Sequence, residues 1–136
     1  MPLEICEEMA CAKKLSLSAK TRQTILFRIK NSSGREVCGF LVKGKRGNQR
    51  FEPVRNVANT PGSFIVLEKD ILKLRSRAYE QGCSIQAFIH SHIGKVSLSY
   101  EDEVDFQNCA IPWIIVSANV TDLDYQVHYP NMPRKT

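Results

Sequence analysis

The sequence contains no hydrophobic run long enough to cross a membrane. Its longest apolar stretch, residues 110–116, is far shorter than the roughly 20 residues that a spanning helix needs. The first residues, MPLEICEEMACAKK, carry three glutamates where a secretory signal peptide would carry positive charge. The sequence therefore predicts a cytoplasmic protein without membrane contact.

The cysteines lack the regularity of a disulfide framework. There are five of them, irregularly spaced and without a CxxC pair, whereas a disulfide-rich secreted domain usually has an even number at regular intervals. We therefore expect reduced cysteines that pack in the core as small apolar residues.

The chain also lacks internal repeats, low-complexity tracts and Pro/Ser-rich linkers. With 136 residues, 43% of them hydrophobic and 24% charged, it has room for one globular domain. We predict an N-terminal segment over residues 1–17, one domain over 18–129 and a tail over 130–136.

The net charge of +5 is unevenly distributed. Residues 43–55 contain five basic side chains and one acid, Glu52, so this segment carries a net charge of +4. Such a patch can bind nucleic acid, an anionic surface or an acidic protein. Phe51 is its only aromatic residue, which disfavours base stacking and hence single-stranded nucleic acid. A solvated basic hairpin is the simplest interpretation.

Hydrophobic periodicity and turn residues predict alternating helices and strands. The predicted helices cover residues 18–30, 67–82 and 100–109, the last with Ser99 as N-cap, Val104 and Phe106 facing inward and Pro112 as terminator. The predicted strands cover residues 37–43, 50–57, 64–67, 84–89, 113–118 and 124–129. This order predicts an α/β or α+β domain with a mixed central sheet flanked by helices.

Two of the three histidines, His90 and His92, lie at the end of the predicted 84–89 strand. Residues i and i+2 of an extended chain point the same way, so both imidazoles project into one space. This arrangement suits a zinc ion. Alone, it is equally compatible with a surface pair or with packed, hydrogen-bonded histidines.

Ser99 and Asp102 follow at the start of the next predicted helix. Ser-x-x-acid is a capping arrangement and needs no function to explain it. A six-residue loop can nevertheless fold back and place the Asp102 carboxylate beside the two imidazoles. Two histidines, one aspartate and an open fourth position are typical of catalytic zinc. Asp105 is a weaker alternative ligand, and Glu36, which opens an apolar strand, is either solvent-facing or a base for the bound water.

Together these residues resemble the JAMM metallopeptidases, the MPN-plus branch of the MPN domain family. The family pattern is an upstream glutamate, His-x-His, a loop of about seven residues and Ser-x-x-Asp. Here it is matched by Glu36, His90-Ser91-His92 and Ser99-Tyr-Glu-Asp102. The flanking EVCGFLV, AFIHSH and IPWIIVS also resemble family members, and the resemblance covers about residues 20–128.

The resemblance implies a single MPN-type domain that binds one zinc ion per chain. His90, His92 and Asp102 would be the metal ligands, with a water molecule as the fourth. Glu36 would act through that water, first as general base and then as general acid to the leaving amine. Ser99 would donate a hydrogen bond to the developing oxyanion.

Two departures from the family pattern affect Ser99. The loop over residues 93–98 is one residue shorter than usual, and Ile93 stands where proline is common. Among the neighbouring residues, Ser91 should face away from the ligands, and Cys38 is expected in the core or behind the ligands. His128 is expected to be an ordinary residue of an edge strand.

The function implied by the resemblance is hydrolysis of isopeptide or C-terminal peptide bonds. The expected partner is a ubiquitin-like or small sulfur-carrier-like protein with a flexible C-terminal tail. Alternatives are a peptidase that releases an amino acid or peptide from a carrier or phage tail component, and a non-catalytic scaffold. The sequence does not indicate the oligomeric state.

Overall fold

A computed structural model describes residues 14–130 and shows one mixed five-stranded sheet with helices on both faces. The strands are β1 (Cys38–Lys43), β2 (Gln49–Val54), β3 (Ser84–Ser91), β4 (Trp113–Ala118) and β5 (Leu123–His128). The helices are α1 (Ala19–Lys30), α2 (Glu68–Glu80) and α3 (Tyr100–Phe106). The sheet order is β2-β1-β3-β4-β5, so the predicted mixed sheet and α+β class are confirmed.

The register of the sheet brings the start of β1 and the carboxyl end of β3 together at one end of the sheet. β1 pairs antiparallel with both β2 and β3, and Cys38 lies opposite His90. β3 and β4 run parallel, whereas β4 and β5 form an antiparallel pair. The residues just before β1 therefore lie beside the carboxyl end of β3.

Alternating residues divide the core into two layers, because successive side chains of a strand point to opposite faces. On one face, Leu41 and Ile89 pack with Ile25 of α1. On the other face, Phe88 of β3 and Leu74 of α2 belong to the second layer of the core. This second layer supports the end of β3 that carries the histidines.

Gly39 is required by the close approach of β1 and β2. A Cβ atom at this position would lie 2.5 Å from the Glu52 carbonyl oxygen and 2.5 Å from Cε1 of Phe51. Any side chain here would push the two strands apart or displace the Phe51 ring from its core position.

The predicted strand over residues 64–67 is wrong, and the predicted 50–57 strand ends earlier, at Val54. Asn56 is the physical reason for both differences. Its side-chain oxygen accepts hydrogen bonds from the backbone N–H groups of Ala58 and Ile65, at 3.0 Å each. These contacts close a loop where the sequence pattern indicated a further strand.

The third helix is shorter than predicted, since α3 ends at Phe106 rather than continuing to residue 109. The prediction for Phe106 is correct, because its ring packs against Trp113 at a centroid distance of 5.5 Å. The prediction for Val104 is wrong, because this side chain is 48% exposed. A helix of seven residues presents only a narrow inward face, and Val104 lies outside it.

The basic segment over residues 43–55 forms the predicted hairpin between β1 and β2. Lys45 and Arg46 are exposed in its turn. Arg50 and Arg77 both contact the Glu52 carboxylate, at 3.0 and 3.1 Å. Only part of the positive charge is therefore free to meet a partner.

Within residues 14–130, no helix has the length and apolar character needed to cross a membrane. The predicted N-terminal segment and C-terminal tail lie mostly outside the described residues, as do Cys6 and Cys11.

Candidate metal centre and active site

The two histidines project from the carboxyl end of β3 on the same face, as the i, i+2 spacing predicts. Their ring centroids are 4.9 Å apart. The His90 side chain is fully buried, whereas the His92 side chain is 15% exposed. His90 packs beneath Phe64, with a centroid distance of 4.5 Å. One imidazole is therefore embedded in the core and the other borders solvent.

Asp102, in the first turn of α3, lies against both imidazoles. Its Oδ2 is 2.9 Å from His92 Nε2, and its Oδ1 is 3.6 Å from His90 Nε2. Bond lengths of about 2.0–2.1 Å place the ligand atoms of a tetrahedral zinc ion about 3.3 Å apart. Both distances are close to that value, so the two nitrogens and the carboxylate can converge on one ion.

Glu36 lies on the other side of His90, just before β1. Its Oε1 is 3.2 Å from His90 Nδ1, and the side chain is 8% exposed. An ionised carboxylate only accepts hydrogen bonds, so it would accept from an Nδ1–H tautomer of His90. A neutral ring in that tautomer has its lone pair on Nε2, the atom that faces Asp102.

The His90 Nε2 atom is buried and has no hydrogen-bond partner among residues 14–130. An orphaned buried acceptor costs free energy unless something binds it. Donor atoms of Glu36, His90 and His92 lie within 4.8 Å of one another, and Asp102 reaches both imidazoles. The residues therefore fit a divalent metal with nitrogen and oxygen ligands, such as zinc.

The structure offers two overlapping ligand sets, since either Glu36 or Asp102 can accompany the histidines. We prefer Asp102 as the ligand because it faces the free Nε2 atom of His90. Glu36 instead contacts Nδ1 of the same ring, and one of its carboxylate oxygens lies within 4.8 Å of a ligand atom of each histidine. This choice leaves the Glu36 carboxylate available for proton transfer.

The His92–Asp102 contact perturbs both groups. The hydrogen bond to Asp102 raises the pKa of His92 despite partial burial of the imidazole, and the Lys95 backbone adds to this effect. Burial alone would raise the pKa of Asp102, but hydrogen bonds from His92 and the Ser99 backbone outweigh it and lower that pKa. Asp102 is thus held as a carboxylate, the form that binds metals.

Ser99 caps α3 as the sequence predicts. Its Oγ accepts a hydrogen bond from Asp102 N at 3.1 Å, and Asp102 Oδ2 accepts one from Ser99 N at 3.1 Å. This reciprocal capping box orients the Asp102 carboxylate as well as the helix. Capping uses a lone pair of the Ser99 hydroxyl, so its O–H remains able to donate towards the cleft.

The shortened loop over residues 93–98 is anchored at two points. Gly94 N donates a hydrogen bond to Ser117 Oγ at 3.1 Å. His128 Nε2 lies 2.9 Å from the Val96 carbonyl oxygen, which can only accept, so Nε2–H is the donor. His128 does lie on an edge strand, but it also anchors the loop between His92 and Ser99. Nothing in the sequence around His128 indicates this contact.

The site opens into a cleft of about 370 Å³ that is lined by residues from several segments. A second cavity of about 360 Å³ adjoins it, and Ser32 and Glu36 line both. Gly62, Ser63 and Phe64 form part of the cleft wall. The sequence pattern does not indicate this wall, because it predicts a strand over residues 64–67.

Cys38 is buried in the second core layer, 1% exposed. Burial, together with the nearby Glu36 carboxylate, raises the pKa of its thiol to about 12. The described cysteines, Cys38, Cys83 and Cys109, are all free. The expectation of reduced, packed cysteines is met best at Cys38, since the other two are only half-buried.

Comparison with known proteins identifies the family. Residues 18–128 match the family described as prokaryotic homologs of the JAB domain. The chain is 27% identical over 93 residues to a desampylase from Pyrococcus furiosus. The aligned region covers 68% of this chain and 66% of the desampylase, so the chain spans just under two thirds of that protein.

Two solved structures are similar in fold. A protein from Desulfitobacterium hafniense has a TM-score of 0.69 at 20% identity, covering 82% of this chain and 80% of its own. A protein from Salinibacter ruber has a TM-score of 0.54 at 17% identity, covering 89% and 92%. The family match spans most of the chain and includes every residue of the candidate site, so the resemblance to JAMM and MPN proteins is confirmed. The chain belongs to the family of prokaryotic JAB-domain proteins.

Proposed function

We propose that this protein is a zinc-dependent peptidase that hydrolyses isopeptide or C-terminal peptide bonds of ubiquitin-like or small carrier proteins. The observation that carries the proposal is the convergence of His90, His92 and Asp102 beside Glu36, at the wall of an open cleft. Family membership and similarity to a desampylase support it.

His90, His92 and Asp102 would hold one zinc ion per chain. When bound, zinc polarises the scissile carbonyl and lowers the pKa of a coordinated water molecule. The Asp102 carboxylate is oriented by Ser99 N, and His90 is oriented by Glu36. Such outer contacts fix the ring orientation and tautomer of a ligand.

Glu36 is proposed to move the proton. Its carboxylate would accept a proton from the attacking water and pass it to the nitrogen of the leaving amine. The position of Glu36 supports this role, because its side chain, although only 8% exposed, lines both cavities. The leaving amine would depart with the proton that the water lost.

Ser99 is proposed to stabilise the oxyanion. Its O–H would donate to the carbonyl oxygen as negative charge develops there, while its lone pair continues to cap α3. Removal of one such donor typically lowers kcat by about 10²–10³-fold. The exposure of Ser99 at the cleft is consistent with contact to substrate.

The partner we propose is a ubiquitin-like or sulfur-carrier-like protein in the cytoplasm, with a flexible C-terminal tail that enters the cleft. Release of an amino acid or peptide from a carrier is the alternative substrate chemistry. Both use the same site and differ only in the group attached to the scissile carbonyl.

The test compares zinc-loaded wild type with Glu36→Gln on linear and isopeptide-linked fusions of a ubiquitin-like protein, and on aminoacyl and peptidyl carriers. We expect cleavage by wild type and loss of at least about 10³-fold in kcat for Glu36→Gln, since the proton acceptor is removed while the side chain keeps its size. Zinc bound per chain should stay near one in both proteins.

Glu103→Gln is the matched control, because Glu103 is an exposed acid of α3 that lines neither cavity. It should cleave as wild type does. Wild-type protein that binds no stoichiometric zinc, or Glu36→Gln that retains full activity, would refute the proposed mechanism. Cleavage of the carriers alone would assign the alternative substrate.

A further inference from the structure

The peptide bond between Glu36 and Val37 is held at both ends by side chains. Asn56 Nδ2 donates a hydrogen bond to the Glu36 carbonyl oxygen at 3.0 Å. On the other side of the same peptide unit, Val37 N donates to Ser91 Oγ at 2.8 Å. β1 begins only at Cys38, so this peptide unit lies outside the strand and depends on these two side chains.

Asn56 uses its whole amide group. Besides its bond to Glu36, its Nδ2 donates to the Ser63 carbonyl oxygen at 3.1 Å. Its Oδ1 accepts from Ala58 N and Ile65 N. An amide has two N–H donors and one acceptor oxygen, so each is occupied. Asn56 therefore links the Glu36 segment to the loop that forms the cleft wall.

Ser91 approaches the same peptide unit from β3. It lies between His90 and His92 in sequence, so its side chain is on the opposite face of the strand from theirs. It is 5% exposed. Ser91 N also donates to the Val37 carbonyl oxygen at 2.9 Å. Ser91 thus fixes the Glu36 segment directly to β3, which contains His90 and ends just before His92.

We infer that Asn56 and Ser91 are positioning residues for Glu36. They hold its backbone at a fixed distance from β3, so that the carboxylate stays in register with His90 and with the reacting water. This inference rests on the proposed function. Proton transfer requires heavy atoms about 2.6–3.2 Å apart, and an error of about 1 Å in placement can cost about 10²-fold in rate.

Removing either side chain should therefore lower kcat by about 10- to 100-fold, while KM and the zinc bound per chain change by less than about twofold. Asn56→Ala removes every bond of the amide. Asn56→Asp keeps an acceptor for the loop but has no N–H for Glu36, and it should lose kcat as Asn56→Ala does. Ser91→Ala should also lose kcat, and Ser91→Thr, which keeps the hydroxyl, should recover most of it.

Asn119→Ala is the control for a general loss of stability. The Asn119 side chain makes three hydrogen bonds, to Thr121 N, Asp122 N and the Asp124 carboxylate, compared with four for Asn56, but they lie in the turn between β4 and β5. Its thermal unfolding should shift to a similar degree as that of Asn56→Ala, with kcat unchanged.

Hydrogen exchange at the Val37 amide gives a second readout that does not depend on activity. We expect slow exchange in wild type and Asn119→Ala, and exchange at least about tenfold faster in Ser91→Ala, where the acceptor is lost. Because Ser91 and Asn56 act on different atoms, Ser91→Ala tests the inference even if Asn56→Ala fails to fold.

The outcomes separate this inference from the proposed function. If wild type cleaves the fusions and both Asn56→Asp and Ser91→Ala match its kcat, the positioning role is wrong while the peptidase stands. If zinc-loaded wild type cleaves nothing, the proposed function is wrong. In that case unchanged Val37 exchange in Ser91→Ala overturns the inference, and faster exchange supports the structural half of it.

Discussion

Zinc should stabilise this protein against thermal unfolding. The proposed ligands come from β3 and from α3, and only the folded chain brings His90, His92 and Asp102 together. A ligand that binds only the native state adds RT ln(1 + [L]/Kd), which is about 2.7 kcal/mol at 100 times Kd. Bound zinc would also give the buried Nε2 atom of His90 a partner, which this atom lacks within the described residues.

The size of the chain converts this free energy into a temperature. An unfolding entropy of about 2.1 cal/mol/K per residue gives about 0.29 kcal/mol/K for 136 residues. A stabilisation of about 2.7 kcal/mol then raises Tm by about 9 °C.

The measurement is thermal unfolding followed by circular dichroism, after chelation and again with zinc at about 100 times Kd. Asp102→Asn is the informative variant, because its side-chain oxygen can still accept from Ser99 N and preserve the cap, while the negative charge is lost. Its zinc-induced rise in Tm should fall to less than about half that of wild type. Asp105 is an exposed residue of the same helix that also lines the cleft, and Asp105→Asn should keep the full shift.

Two results would refute this reasoning. An unchanged Tm for wild type on zinc addition would mean that the cluster does not bind zinc in the folded state. If Asp102→Asn kept the full zinc-induced rise in Tm and Asp105→Asn lost it, the metal ligand would be Asp105 and not Asp102.

Three further predictions concern the fold and the surface. Gly39→Ala should lose at least about 2 kcal/mol in the free energy of unfolding by urea, because its Cβ would meet the neighbouring β2 backbone; wild-type stability would contradict the close approach of the strands. Alkylation of Cys38 in the native protein, measured by mass spectrometry, should be at least about tenfold slower than alkylation of half-buried Cys83. The reason is that the Cys38 pKa of about 12 leaves almost no thiolate. Equal alkylation rates would show that Cys38 is accessible. Charge reversal at Lys45 and Arg46 should raise KM for an acidic substrate protein severalfold at low salt and flatten its salt dependence; an unchanged salt dependence would remove the basic hairpin from substrate binding.

Turn residues and hydrophobic periodicity in the sequence predict most of the fold. The turn over residues 44–47 between two apolar runs predicts the β1–β2 hairpin, and alternating strands and helices predict the mixed sheet. The errors in the strands arose where a side chain replaced a backbone partner. Asn56 closes the loop that was expected to be a strand, and no property of an isolated Asn-Val-Ala sequence distinguishes this arrangement from a simple turn.

The candidate site divides in the same way. Period-two alternation in β3 places His90 and His92 on one face, and the Ser-x-x-Asp spacing places Asp102 in a capped first turn, so these relations follow from the sequence by itself. Only the tertiary structure decides three other relations. Asp102 lies 2.9 Å from His92, Glu36 contacts Nδ1 of His90, and Asn56 and Ser91 bind the Glu36–Val37 peptide unit. The former depend on the geometry of one strand or one helix turn, whereas the latter depend on strand register and loop closure between segments up to 54 residues apart.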